Sequence, residues 1–441
     1  MKDFATVFAG RKMPVKIPEE NLIGVAEGHN LPPLDNPQQK LREILENPIG
    51  CEKLVDLAKK GDKVVLMTSE YMRMPYTWIL APVVVEILKD AGVKDKDITL
   101  LNAPGTHQTE AEQAVNPQVK EVYGPLQGKY RLVMHDCDKR DDLAYMGMTP
   151  QGTPVWVNKA VAEADLKIGF GELSPHHAAG HCGGGKIINP GVCGRATIGS
   201  MHRFVMAAHE ASGLDLWQVG VHDERNPLRK DMEDTATVAG LDFKIDAVTN
   251  CASRELVGIF AGDFKKEYRE GIKLSDSIYG TKMKTADIAV TLTPAVKGWG
   301  GGTYLTGAFL GGDITGSNAV KNGGIVIQVV SAEEGYSSQG PHRVYTPENM
   351  AIDGEEMTWK LTVGDCDLRD MSLRWQTKRC LEETRTFLVT TLDEKTALST
   401  GYAAVFRNFD DALSQAFKEK GKNANVTLID RAGRPNYPLP T

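Results

Sequence analysis

Residues 48–101 read PIGCEKLVDLAKKGDKVVLMTSEYMRMPYTWILAPVVVEILKDAGVKDKDITLL, a segment in which helical patterns alternate with short apolar runs. The pattern predicts, in order, a helix over 48–60, a strand over 62–68, a helix over about 76–91 and a strand over 98–101. Gly61 and Gly92 end the two helices, since glycine is typical just past a helix end. Helices that alternate with buried strands indicate an α/β fold built on a parallel sheet.

The same alternation continues along the chain. It predicts strands over 167–170 (KIGF), 286–293 (ADIAVTLT) and 323–330 (GGIVIQVV), and helices over 198–211 and about 410–420. We therefore expect an N-terminal Rossmann-like domain over 1–283 and a smaller C-terminal α/β domain over 284–424, with the active site in the cleft between them. The tail, residues 425–441, is expected to return to the first domain.

Composition excludes several classes of protein. The chain has 441 residues, which is too many for one ordinary core, and a net charge of -7 without a basic run, which argues against nucleic acid as a partner. The most apolar stretch, residues 78–88, is too short to span a membrane, and the N-terminus lacks the apolar core of a signal peptide. The 7 cysteines form no CxxC pair. We predict a cytoplasmic protein with no membrane partner.

Two loops follow predicted strands, at residues 69–75 (SEYMRMP) and 102–107 (NAPGTH). In parallel sheets, binding sites form where loops leave the carboxyl ends of strands. Arg73 can bind a carboxylate or phosphate through its planar fork, or can form a surface ion pair with Glu70, and spacing alone does not separate these alternatives. His107 is either a hydrogen-bonded loop residue or an acid/base catalyst.

Chemistry-bearing residues concentrate in residues 175–202, PHHAAGHCGGGKIINPGVCGRATIGSMH. Its GHCGGGK segment fits the glycine-lysine spacing of a phosphate-binding loop, but Ile187 follows the lysine where that loop needs Ser or Thr to hold magnesium. His177 and His181 have a spacing that suits two metal ligands on one helical face, but the glycines around them disfavour a helix. Neither a nucleotide triphosphatase nor a helical metal site is favoured by these residues alone.

Taken together, these residues resemble the lactate racemase family, whose enzymes use a nickel-pincer nucleotide. His176 precedes Lys186 by 10 residues and Lys186 precedes His202 by 16, which is the family's spacing. The resemblance covers most of the chain, and its segments are NPIG (47–50), the Arg73 loop, the Gly-Thr-His turn, the 175–202 block, VKNGGI (320–325) and AEEG (332–335).

The resemblance implies an isomerase that inverts the C2 centre of a 2-hydroxy acid by hydride transfer. Lys186 would carry the cofactor, pyridinium-3-thioamide-5-thiocarboxylic acid mononucleotide, through a thioamide bond, and His202 would bind its nickel. His107 and His176 would be the two acid/base residues. Glu70, Tyr71, Met72 and Arg73 would contact the nucleotide portion, with Arg73 also near the substrate and Glu70 replacing the family's usual Asp. Cofactor-biosynthesis proteins would be partners.

The sequence departs from the family at residues 304–308 (YLTGA), where we place a Tyr-Gln-x-x-Lys-like segment that faces the substrate. Tyr304 is kept as a substrate-binding candidate, while Leu305 and Ala308 replace the polar pair. These changes predict a larger, less positive pocket, and hence a 2-hydroxy acid larger than lactate, such as an aldonate. Two alternatives stay open. One is a metal-dependent hydrolase that uses the histidines of residues 176–181, and the other is a protein that binds the pincer nucleotide without turnover.

Overall fold

The structure, a computed structural model, forms two compact units. The middle unit comprises residues 31–204 and 222–276, and the terminal unit comprises residues 1–30, 205–221 and 277–441. The sequence division at 283 placed residues 1–30 with the middle of the chain, whereas in the structure they group with the C-terminal part. The residues that the structure describes are 1–70, 73, 75–176, 178–212, 225–251, 253–293, 305, 316, 318–335, 356, 359–360, 375, 378, 380–430 and 437–439.

The helices of the described residues are α1 (Pro37–Leu45), α2 (Leu54–Leu57), α3 (Thr77–Asp90), α4 (Glu110–Val115), α5 (Pro117–Glu121), α6 (Lys159–Ala162), α7 (Arg195–Ser212), α8 (Pro227–Ala239), α9 (Lys266–Tyr279), α10 (Glu394–Leu398) and α11 (Phe409–Lys420). The strands are β1 (Lys2–Phe8), β2 (Arg11–Ile17), β3 (Leu22–Ala26), β4 (Val64–Ser69), β5 (Ile98–Ala103), β6 (Arg131–Met134), β7 (Leu143–Met148), β8 (Pro154–Asn158), β9 (Leu166–Glu172), β10 (Pro175–His176), β11 (Gly180–His181), β12 (Phe243–Thr249), β13 (Leu256–Gly262), β14 (Gly280–Lys282), β15 (Ala286–Leu292), β16 (Val320–Val329), β17 (Arg385–Val389), β18 (Ala404–Phe406), β19 (Val426–Asp430) and β20 (Tyr437–Leu439).

The middle unit contains a sheet in the order β13-β12-β9-β4-β5-β6. Its neighbouring strands are parallel except for β13, which runs antiparallel to β12. From β4 the chain continues through β5 and β6 on one side, and later through β9 and β12 on the other. The carboxyl ends of β4 and β9 therefore form the switch point of the sheet, which is where open α/β sheets bind ligands.

Strand β4 explains why this sheet is buried on both faces. Val64 and Leu66 belong to one apolar cluster with helix α3, whereas Val65 and Met67 belong to a second cluster with Ile187 and helix α8. Side chains alternate between the two faces of a strand, so a strand that is covered on both sides reads as a continuous apolar run. The predicted parallel α/β fold is confirmed, including β4, α3 and β5.

The predicted helix over 48–60 is wrong in extent. Only α2, Leu54–Leu57, is helical there, and its flanking residues Lys53 and Ala58 have extended backbone. Ile49 instead forms a parallel bridge with Gly262. This contact with the edge strand of the sheet overrides the local helical pattern, because helix propensity is weak compared with tertiary contacts.

The terminal unit is built on a second parallel sheet in the order β18-β17-β16-β15-β19-β3. The strand of the tail, β19, lies between β15 and β3. Helix α11 covers this sheet with Phe409, Leu413 and Ala416, which recur at helical spacing and belong to the core of the unit. Among the described residues, no helix is both long enough and apolar enough to cross a membrane.

Candidate active site

A cavity lies in the middle unit, where β4, β5 and β9 end. It brings together four of the predicted site residues, namely Glu70, Arg73, His107 and Lys186. The full lining is Ser69, Glu70, Arg73, Ala103, Pro104, Gly105, His107, Gly171, Glu172, Cys182, Gly183, Lys186, Ile187, Pro190, Gly191 and Lys244. Both loops that the sequence singled out contribute to it, as the rule for parallel sheets predicts.

Glu70 orients His107 inside this cavity. Glu70 follows β4 and is buried, and its Oε1 lies 2.7 Å from Nδ1 of His107. A carboxylate only accepts hydrogen bonds, so Nδ1 of His107 donates. In the neutral ring the lone pair is then on Nε2, which is the nitrogen able to take up a proton.

Glu70 stays ionised despite its burial. Burial alone raises the pKa of the Glu70 carboxyl group, but the charge and hydrogen bond of His107 and the charges of Arg73 and Lys186 outweigh it and lower the pKa to about 2. The carboxylate is therefore negative at neutral pH.

Arg73 forms an ion pair with Glu70, which is one of the two alternatives left open by the sequence, but inside the cavity instead of on the surface. Its Nε donates to Oε1 of Glu70 at 3.0 Å, and the side chain of Arg73 is only 18% exposed. Its Nη1 donates to Sγ of Cys182 at 2.7 Å. The guanidinium group thus connects the loop after β4 to the segment that carries Lys186, and it gives the cavity a positive charge suited to an anion.

Lys186 lies in a 3₁₀ turn, Gly184–Ile187, and directly follows three glycines, of which the last two belong to the turn. Burial and the positive charges of Arg73 and Arg229 lower the pKa of its amine to about 8, against the opposing effect of Cys182 and Glu70. An amine with a lowered pKa has a larger neutral fraction near neutral pH, and the neutral form is the nucleophile.

His176 lies in the β10–β11 hairpin and does not belong to the lining of the cavity. Its Nδ1 accepts hydrogen bonds from the backbone N–H groups of Ala178 and Ala179, each at 3.2 Å. The neutral ring therefore carries its hydrogen on Nε2, the opposite tautomer from His107.

His202 is half-buried on helix α7 and also lies outside the lining of the cavity. Its Nδ1 lies 2.7 Å from the carbonyl oxygen of Ile198, one turn earlier, and a carbonyl only accepts. Nδ1 is therefore the donor and Nε2 carries the lone pair. Metal-binding histidines have this arrangement, in which a bond from the other ring nitrogen fixes the tautomer.

Four residues named by the sequence, Tyr71, Met72, His177 and Tyr304, lie outside the described residues. Leu305, next to Tyr304, is fully buried. It packs in an apolar cluster of the terminal unit with Val330, Ala332, Leu388, Ala397 and Tyr402. Position 305 is therefore part of a core.

The described histidines of residues 176–181 do not form a metal site. In the hairpin His176 pairs with Gly180 and His181 pairs with Pro175. Successive pairs point to opposite faces of a hairpin, so the two imidazoles diverge. Nε2 of His181 lies 3.1 Å from Oδ1 of Asp276.

Sequence reasoning missed several cavity residues. Glu172, Cys182 and Lys244 all line the cavity and are buried. The available signal for Lys244 was strand β12, FKIDAVT, in which a lysine and an aspartate interrupt an apolar run. Buried charges in a central strand require partners, and such partners are often at a site.

The chain is similar in sequence to known lactate racemases. The sequence profile of the lactate racemase N-terminal domain matches residues 8–214. The lactate racemase of Lactiplantibacillus plantarum is 25% identical over 432 residues, which cover 95% of this chain and 96% of the relative. The lactate racemase of Thermoanaerobacterium thermosaccharolyticum is 27% identical over 351 residues, which cover 78% of each chain.

Two solved structures have the same fold. The lactate racemase apoprotein from Thermoanaerobacterium thermosaccharolyticum superposes with a TM-score of 0.81 at 22% identity and covers 100% of both chains. A crystal structure of a Thermotoga maritima protein has a TM-score of 0.65 at 18% identity and covers 93% of this chain and 100% of that one.

Proposed function

Because the chain belongs to the lactate racemase family of isomerases, we propose that it inverts the C2 centre of a 2-hydroxy acid. One observation carries the proposal. A nucleophilic lysine, an ion-paired Glu70–His107 dyad and a half-buried arginine line one cavity at the switch point of the sheet. A covalent cofactor, a base and an anionic substrate group require these three kinds of residue.

The residues fit the nickel-pincer nucleotide as the cofactor. Lys186 would hold it covalently, because its amine lines the cavity and has a pKa lowered to about 8. His202 would bind the nickel through Nε2, since imidazole suits this metal and Nδ1 already donates to Ile198. When bound, the group supplies an acceptor that takes the C2 hydrogen as hydride and returns it. The proteins that make this cofactor would be partners.

His107 would take the proton of the substrate hydroxyl group. The Cα–H of a 2-hydroxy acid is a weak acid, so removing hydride while the hydroxyl group loses a proton avoids a costly carbanion. Neutral His107 accepts at Nε2, and the ionised Glu70 stabilises the imidazolium that forms. His176 would act as the acid in its imidazolium form and would give up the proton on Nε2, since Nδ1 accepts hydrogen bonds from the backbone. Neutral His107 and protonated His176 would thus supply a base and an acid, and the roles exchange in the reverse direction.

We further propose a substrate larger than lactate, such as an aldonate. The support is the sequence departure at residues 304–308, where Leu305 and Ala308 stand in place of polar residues. Leu305 itself is buried in an apolar core cluster of the terminal unit, so the support from this segment is the loss of the polar pair and not a substrate contact by Leu305. Among the described cavity residues, the carboxylate of Glu172 can accept hydrogen bonds from additional hydroxyl groups.

The test begins with protein made in a host that synthesises the pincer nucleotide. We expect an intact mass with one adduct, mapped to the peptide that contains Lys186, and nickel in proportion to the adduct. Pairs of C2 epimers, aldonates beside lactate, are then assayed for inversion. Efficient inversion of lactate with no activity on aldonates would refute the larger substrate but not the chemistry. Unmodified Lys186 in a host that loads a known family member would refute the cofactor assignment.

Glu70→Gln should lower the inversion rate by roughly 10- to 1,000-fold, because the base loses the charge that stabilises its protonated form. The acid limb of the pH–rate profile should move to lower pH, since the imidazolium is less favoured beside a neutral amide. The measurement is the pH dependence of kcat on loaded enzyme. Glu70→Asp should recover much of the rate, and Glu43→Gln, at a side chain that is 54% exposed, should leave the profile unchanged. An unmoved acid limb in Glu70→Gln would contradict the dyad.

A further inference from the structure

The peptide unit between Gly183 and Gly184 is held at both ends by buried charged side chains. The carbonyl oxygen of Gly183 accepts a hydrogen bond from Nη1 of Arg229 at 3.2 Å. The N–H of Gly184 donates to Oδ2 of Asp246 at 2.7 Å. The backbone N–H of Lys186 in turn donates to the carbonyl oxygen of Gly183 at 3.3 Å. The backbone from which the Lys186 side chain starts is therefore fixed to a clamp made of one guanidinium and one carboxylate.

Arg229 binds this segment at several points. It is fully buried on α8, and it donates to the carbonyl oxygens of Ala179, at 3.2 and 3.1 Å, and of His181. Its guanidinium carbon lies 4.1 Å from the ring centroid of Tyr268. A planar fork can bind three carbonyl groups at once, whereas the single ammonium group of a lysine cannot reproduce that geometry.

Asp246 and Lys244 form a fully buried ion pair beneath the same segment. Burial and the charge of Asp246 raise the pKa of the nearby Glu267 well above its ordinary value. The pair fills the available space. A Cβ on Gly183, where φ is +89°, would lie 2.7 Å from Oδ2 of Asp246, and a Cβ on Gly171 would lie 2.5 Å from Oδ1. Glycines are thus required where the segment crosses the ion pair.

We propose that Arg229 and Asp246 are positioning residues for Lys186, and that together they keep its amine buried and directed into the cavity. The functional role of this buried amine rests on the proposed function, in which Lys186 carries the cofactor. The placement itself is a property of the unloaded chain, so it can be measured without cofactor or turnover.

Titration of the Lys186 amine in the unloaded chain reports this placement, because burial is the largest cause of its lowered pKa. Four charged or titratable groups also act on the amine, namely Arg73, Cys182, Glu70 and Arg229. The charge of Arg229 opposes protonation of Lys186, and Arg229→Lys preserves that charge while removing the fork. Asp246→Asn preserves shape while removing a negative charge.

The direction in which the titration midpoint of Lys186 shifts in each variant distinguishes a loss of positioning from a loss of charge. Loss of the Asp246 charge by itself makes protonation of Lys186 less favourable and moves its titration midpoint down. A loosened segment exposes the amine to water and moves the midpoint up, towards the ordinary lysine value. Arg229→Lys should leave the midpoint unchanged if only charge matters. We expect upward shifts of about one pH unit or more in both variants.

The measurement is pulsed acetylation of the full chain, purified from a host without the cofactor pathway, over neutral to alkaline pH with peptide mapping of Lys186. Lys273, whose side chain is 68% exposed, is the internal reference. Asp231→Asn is the matched control, because this buried carboxylate of α8 binds Oγ1 of Thr149 at 2.6 Å instead of the clamp. Its midpoint should match that of the wild type.

An unchanged midpoint in Arg229→Lys, or a downward shift in Asp246→Asn, would overturn the proposal. Should Asp246→Asn fail to fold, Arg229→Lys decides the question alone. A different result would refute the proposed function. In that case the midpoints respond as expected, but wild-type Lys186 acquires no adduct in a host that makes the nucleotide.

Discussion

Lys186→Met will abolish cofactor attachment and lower the inversion of any 2-hydroxy acid by at least about four orders of magnitude. Methionine has a similar length and fills the same buried space, but it has no amine with which to form the covalent bond. Intact mass, nickel content and a chiral assay on protein from a cofactor-producing host measure the effect. Lys273→Met, at an exposed position of the same unit, should keep the adduct and the activity.

The same substitution should stabilise the unloaded protein at neutral pH. The pKa of the Lys186 amine falls from 10.5 to about 8 on folding, so the unfolded chain binds this proton more tightly. Wild-type stability therefore rises with pH between these two values, and below them the buried charge costs roughly 3 kcal/mol. Lys186→Met lacks this cost.

Urea unfolding at neutral and at alkaline pH tests this argument. The advantage of Lys186→Met over the wild type should be largest at neutral pH and shrink as the pH rises through the interval from about 8 to 10.5. A variant that is less stable than the wild type at neutral pH would mean that the ammonium group is well compensated inside the protein. In that case the lowered pKa that makes the Lys186 amine reactive would not reduce the free energy of unfolding.

The positions of Glu70, Arg73 and His107 could be predicted from the sequence, because they depend on local patterns. Each follows a short apolar run that forms a buried strand, and parallel strands bring their carboxyl ends to one edge. Lys186 was identified by its spacing from His176 and His202. Secondary-structure patterns and the spacing of family motifs can both be recognised in a single sequence.

The contacts that tune these residues could not be predicted, because they join distant parts of the sequence. Glu70 meets His107 across 37 residues, and Arg229 reaches Gly183 across 46. Arg229 gave no local signal, since an arginine on an amphipathic helix is most often solvated. The helix over 48–60 failed for a related reason, because pairing of Ile49 with Gly262 is a tertiary contact that the local pattern does not contain.

His107→Gln and His176→Gln should each lower inversion by two to four orders of magnitude, roughly the effect of an acid/base group, in both directions. Each direction needs a base on one side of the substrate and an acid on the other, so the loss of either histidine stops both. The adduct on Lys186 and the nickel content should be retained, as intact mass and metal analysis will show. His29→Gln, at an exposed histidine, is the control and should leave the rate unchanged.

Combining Glu70→Gln with His107→Gln decides whether Glu70 acts through His107. If its role is to orient and charge that ring, the double variant should be no slower than His107→Gln alone, because the second change removes support for a group already lost. Independent roles would multiply the two losses, as they would if Glu70 mainly bound the nucleotide. The 2.7 Å contact between Oε1 and Nδ1 favours the first outcome. A fully multiplicative double variant would return Glu70 to the cofactor-binding role that the family resemblance implies for it.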